Sequence, residues 1–181
     1  RIAGGNPRLA IMAAKLAIAE QNLHVLRDVS DLFEKYFGTF VNDKQELASS
    51  INLKCLGIIA FFNAFPYKNR EYAEAVLAQF DIEFGEFADA IDFLNRHELI
   101  DIQFEFVKIP EQNLATYFFY RCFLRDQILS FSTLLNHHYP ELRSRFTDTL
   151  VPSSNTFGYK NVDEKVKPAL KARWNEIKNN P

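Results

Sequence analysis

Apolar residues recur every three to four positions along most of the chain, and in one stretch they switch to every second position. The first period belongs to a helix buried along one face, the second to a half-buried strand. Asn6 is a good N-cap, and Pro7 suits the first helical position, where its missing N–H leaves no bond unmade. The alanine-rich run "RLAIMAAKLAIAEQ" is therefore predicted to be helical to about Gln21. A second helix is expected over roughly 29–37, capped by Asp28 or Ser30, and polar "VNDKQE" at 41–46 reads as a joint.

Beyond the joint, residues 46–63 read as a strongly apolar helix ended by Pro66. A helix over 69–80 with Asn69 as its cap follows, then a third over about 83–97. The period changes at "LIDIQFEFVKI", residues 99–109, which alternates and is rich in β-branched and aromatic side chains. It predicts a short hairpin turning near Gln103 to Glu105. Three helices followed by a β-ribbon is the layout of a winged helix. A long helix is expected from Glu111 to Arg125, with shorter ones in "ILSFSTLLNHHY" and "ELRSRFTDTL". The segment "VPSSNTFGYKN", 151–161, reads as a flexible loop, and a final helix over 162–178 carries the only tryptophan, Trp174. The expected fold class is mainly α: a helical bundle containing a winged-helix-like unit with one short β-hairpin. Its expected divisions are residues 1–43, 44–125 and 126–181.

Composition narrows this picture. Six glycines in 181 residues leave little room for glycine-rich loops, and the 18 phenylalanines fall mostly inside apolar runs at helical spacing, as core residues would. The longest apolar run, "CLGIIAFF", is far too short to span a bilayer, so no membrane partner is expected. Cys55 and Cys122 are not spaced as metal ligands and read as reduced, buried thiols in a cytoplasmic protein. Arg1 rather than methionine opens the chain, so a piece of a longer protein is expected.

Charge decides against duplex DNA. The third helix of the winged-helix pattern carries Glu83, Glu86, Asp89 and Asp92 against Arg96 alone, and the wing offers only Lys108. Phosphates would repel such a helix from the major groove. The net charge of −2 comes with no basic stripe. This winged helix is expected to pack against protein.

Other candidate chemistry is thin. His137 and His138 point in different directions on a helix and lack a third ligand at tetrahedral spacing. His97 with Glu98 and Asp101 reads as a surface turn before the wing. Neither a phosphate-binding glycine loop of the Walker type nor an acidic strand end for magnesium occurs. The stretch Gly4-Gly5-Asn6-Pro7-Arg8 admits two readings. One is a capped helix after a flexible pair. The other is a phosphate site, with free N–H groups at the helix start, Arg8 beside them and the Pro7 ring as a flat surface for a base.

The order "GGNPRLAIMAAKLA", acidic winged helix, "KIPEQNLATYFFY" resembles the STAND class of AAA+-related signalling ATPases over roughly residues 3–125. In that class a glycine–X–proline motif opens a lid helix beside the adenine, and Gly5-Asn6-Pro7 matches it; Arg8 stands where the sensor-2 arginine of related lids reaches the phosphates. Gly5, Asn6, Pro7 and Arg8 are thus the nucleotide-contacting residues the resemblance implies. Many members begin the helix after the wing with a His-Asp pair that reads ADP. Here Pro110 and Glu111 stand in those places, and proline cannot donate the hydrogen bond. Glu111 reads better as a helix cap. The resemblance implies a non-catalytic regulatory region of a larger protein that binds ATP or ADP with magnesium. Its expected partners are an upstream nucleotide-binding domain of the same chain and, in the full-length protein, further copies of itself. The alternative is a helical protein-interaction module with a winged-helix core and no nucleotide role.

Overall fold

The computed structural model describes residues 7–20, 31–33, 35–36 and 50–179. The chain divides into two compact units, residues 1–49 and 50–181. In the first, helix α1 spans Pro7–Glu20; Asn6, its expected cap, lies outside the described residues. Met12 and Leu16, one turn apart, are buried, as are Leu32 and Phe33. The helix expected over 29–37 is helical at 31–33 and 35–36. Its remaining residues, the caps Asp28 and Ser30, and the joint at 41–46 lie outside the described residues.

The second unit is built around helix α2, Ser50–Phe62. Its sequence is apolar on every side, which a helix sustains only when surrounded. Helix α4 (Phe84–Arg96), helix α5 (Gln112–Phe119) and helix α7 (Arg143–Phe157) all pack on it. At Gly57 the absence of a side chain is required: a Cβ there would lie 2.7 Å from Cys122 Cβ and 2.8 Å from Leu129 Cδ1. Helix α2 ends at Asn63, which turns the chain at φ +65°. From helix α7 the Arg145 guanidinium donates two hydrogen bonds to the carbonyl of Phe61 in the last turn of helix α2, at 2.9 Å from Nε and 2.7 Å from Nη2. A cation at a helix C-terminus also meets the negative end of the helix dipole.

Asn69 caps helix α3, Arg70–Ala78, by accepting from the Tyr72 N–H. After helix α4 come strands β1 (Asp101–Gln103) and β2 (Phe106–Lys108), antiparallel, with Asp101 opposite Lys108 and Gln103 opposite Phe106. Phe65, between helices α2 and α3, adds a third line to this ribbon through two 2.9 Å hydrogen bonds with Val107. Helix, bridging residue, two helices and ribbon together make the winged-helix-like unit that the pattern of periods predicts.

Two expectations need correction. The long helix over 111–125 is α-helical only to Phe119; Tyr120–Arg125 widen into a π-helical turn. Cys122, Phe123 and Leu124 of this turn are buried, continuing the buried run 114–119 of helix α5. The flexible loop at 151–161 is instead almost wholly helical. Helix α7 runs through Pro152 to Phe157, and helix α8 spans Tyr159–Asn179. Serine and threonine normally weaken helices by competing for the backbone. Here Thr149, Ser153 and Ser154 each bond the carbonyl four residues back, at 2.7–2.8 Å. The Phe157 ring stacks on Tyr120 at 4.0 Å and ties down the helix end. The loop shrinks to Gly158, whose φ of +92° a side chain would resist. Helix α6, Phe131–His138, begins at Ser130, which accepts from Thr133 N–H, and packs on helix α8.

Candidate protein-binding surfaces

The solvent face of helix α4 follows from its period. Phe87, Ala90, Ile91 and Leu94 are buried, which turns Glu83, Glu86, Asp89 and Asp92 outward. Arg96 Nε donates to the backbone carbonyl of Asp92 at 3.2 Å rather than to a carboxylate of this face. The bridge at Phe65 holds the second strand of the wing, and a 3.4 Å hydrogen bond from Lys68 N–H to the Glu105 carbonyl ties down its turn. At the tip Phe104 is 91% exposed and Phe106 44%. Phe104 also holds φ +53°, a region where glycine or asparagine usually stands in a two-residue hairpin turn. A phenylalanine thus stands in a strained turn while touching little of its own chain.

A second surface lies on helix α8. Val162, Val166 and Ala169 are buried, and the same seam continues through Leu170, Trp174 and Ile177, which are 46%, 68% and 52% exposed. The unit therefore covers only the first half of one continuous apolar stripe. Where cover stops, Leu135, Tyr139 and Pro140 face Leu170, Trp174 and Ile177 across a cleft of about 340 Å³. Its rim is cationic. Arg143 lies 5.5 Å over the Tyr139 ring, and Arg173 pairs with Glu176 at 3.4 Å. Lys167 and Lys171 line the adjoining groove beside Trp174. An apolar cleft with guanidinium and ammonium groups at its mouth suits an aromatic side chain flanked by carboxylates.

The remaining polar groups have structural duties. Cys122 Sγ donates to the Leu53 carbonyl at 3.2 Å, and burial pushes its thiol up to about 12. Burial raises the Cys55 thiol further. Both are free thiols. His138 is buried against Phe61 and Phe62 and shares a 2.8 Å hydrogen bond between its Nε2 and Gln79 Oε1. Desolvation, with repulsion from His137, lowers its pKa against a smaller pull from Glu141. His97 Nδ1 lies 2.9 Å from the Phe93 carbonyl at the end of helix α4. Among the described residues no group of three or more His, Cys, Asp or Glu side chains is placed to hold a metal ion, and no helix is long and apolar enough to cross a membrane.

Of the nucleotide-contacting residues that the sequence suggests, Gly5 and Asn6 lie outside the described residues. Pro7 and Arg8 are the first two residues of helix α1, described by their backbone alone. Glu111 caps helix α5, its carboxylate accepting from Leu114 N–H at 2.7 Å. Sequence reading passed over Phe104 and the cleft. The exposed turn inside an aromatic strand pattern and the lone tryptophan were the signals that could have found them. Comparison with protein-family models, with curated proteins and with solved structures finds no match to this chain.

Proposed function

We propose that this chain is a non-catalytic, protein-contacting switch region built on a winged-helix-like core, and that it serves a STAND-type ATPase. The observation that carries the first part is the outward face of helix α4. The helix that would read a DNA groove carries Glu83, Glu86, Asp89 and Asp92 outward, and the wing is tipped with a bare phenylalanine. Carboxylates are repelled by phosphates, and an exposed aromatic is the usual anchor of a protein contact. Fluorescence anisotropy with a labelled duplex at low salt tests it: no binding is expected. Binding that falls steeply as salt rises would overturn it.

The second part rests on the sequence resemblance through Gly5, Asn6, Pro7 and Arg8, supported by a helix that starts at Pro7. In such a switch, lid contacts to ATP or ADP with magnesium bias one arrangement, and losing them frees the winged helix to expose surfaces for further copies or partners. The phosphate loop and magnesium ligands would come from an upstream nucleotide-binding domain. The test is Arg8→Ala in the longer protein, which should lower nucleotide affinity or hydrolysis. If both stay unchanged, the nucleotide role falls and an interaction module without one remains.

A further inference from the structure

The two exposed apolar features of the second unit are complementary in shape and in charge. The wing is convex, ends in Phe104 and carries Glu105 at its tip and Asp101 at its base; Lys108 and Lys68 are the cations nearby. The cleft on helix α8 is concave and apolar, with Arg143 and Arg173 at its rim and Lys167 and Lys171 beyond. Helix α8 carries Lys160, Lys165, Lys167, Lys171, Arg173 and Lys178 against Asp163, Glu164 and Glu176. A cavity of about 150 Å³ already takes up a benzene ring, so about 340 Å³ accommodates a phenyl side chain.

From this match we infer that the wing tip of one copy docks in the helix α8 cleft of a second copy, Phe104 entering beside Trp174 while Glu105 meets Arg143 or Arg173. The inference rests on the protein-contacting part of the reading above and is independent of its nucleotide part. Wing and cleft are different surfaces, so the contact is heterologous: each copy that gives its wing still has an empty cleft. A concave site prefers an inserted side chain over a flat lipid surface, although Trp174, Ile177 and the lysines of helix α8 also have the composition of an interfacial helix. Glu105, next to Phe104 at the tip, favours the second copy, whose cleft offers it Arg143 and Arg173.

Sedimentation velocity on the 181-residue chain tests this. At low salt the mean mass should climb with concentration, and raising the salt to about 0.5 M should weaken the association through its charged rim. Phe104→Asp and Trp174→Glu, both at exposed positions, should each weaken association by about tenfold or more without changing the melting temperature. Should either fail that melting check, Phe104→Ser and Trp174→Gln replace them. The decisive sample is an equimolar mixture of the two variants. The intact cleft of the first meets the intact wing of the second, and a 1:1 dimer that grows no further should form at concentrations where each variant alone is monomeric. A parent chain that stays monomeric at all concentrations, a Phe104→Asp variant that associates like the parent, or a mixture that stays monomeric would each overturn the docking. Phosphatidylserine vesicles form a further arm: parent and Phe104→Asp co-sedimenting equally, with Trp174→Glu lost, would assign the cleft to an anionic lipid surface and overturn it as well. None of these outcomes touches the anisotropy test of the protein-contacting reading.

Discussion

Phe61 and Phe104 are the same side chain with opposite fates. Phe61 is fully buried near the end of helix α2, with Phe146 at 4.9 Å, Phe62 at 5.2 Å and Phe119 at 6.2 Å between ring centroids. Phe104 stands 91% exposed on a strained turn. Their surroundings in the sequence account for the difference. Phe61 ends a run apolar on every face, whereas Phe104 sits at a reversal of a strand whose alternate residues are acidic or polar. A high phenylalanine content thus describes two things here, a packed interior and a contact surface, and only burial separates them.

The sharpest way to break that contrast is truncation. Phe61→Ala removes a ring from a packed aromatic cluster and should lower stability by about 3–5 kcal/mol, read from a shift of the denaturant midpoint at constant slope. A loss well under 1 kcal/mol would mean that the interior around helix α2 is loosely packed. Gly57→Leu probes the same core from the other side. With Cys122 and Leu129 already where its Cβ would go, overpacking should cost about 1–3 kcal/mol or more. Arg145→Gln removes the two bonds to the Phe61 carbonyl and the ion pair with Asp148. Since the Arg145 side chain is 21% exposed, water takes over part of that role, and a loss of about 1–2 kcal/mol is expected from the same titration.

The core that these substitutions probe was largely legible in the sequence, because it is made of local periods. The apolar period placed helices α2, α3 and α4, Asn69 and Glu111 announced themselves as caps, and strict alternation announced the ribbon. What stayed hidden depends on meetings between distant residues. The Phe65–Val107 bridge has no local sign, and the π-helical turn answers to packing against Gly57. Residues 151–161 read as a loop because the Tyr120–Phe157 stack that meets the end of helix α7 joins distant residues and leaves no local sign. The cleft joins Leu135 and Tyr139 to Trp174 and Ile177, and no motif links them. Residues 5–8 are the reverse case: legible as a motif through a resemblance, yet without described side chains to test it.

His138 offers a milder probe, one that couples the core to solution conditions. Its folded pKa is held below the ordinary 6.5 by desolvation and by His137, so the unfolded chain binds the proton more readily. By linkage the stability it contributes is present above about pH 6.5 and is lost progressively as the pH falls toward the folded value. Melting temperature should therefore drop between about pH 7.5 and pH 5, and His138→Gln should flatten that slope relative to the parent. An identical slope in the variant would place the acid sensitivity elsewhere.

The smallest effect belongs to Phe104, and its sign is informative. Deleting a buried phenylalanine costs several kcal/mol, but this ring is exposed and its backbone occupies the left-handed region, which disfavours bulky side chains by about 1–2 kcal/mol. Asparagine tolerates that region and suits a hairpin turn. Phe104→Asn should accordingly leave the stability of the chain unchanged or raise it by up to about 1 kcal/mol, measured by denaturant titration against the parent. A loss comparable to that of Phe61→Ala would show that the ring is buried in solution by the chain's own residues, and the wing would then belong to the core. Unchanged or raised stability means that the strain at φ +53° serves something other than folding.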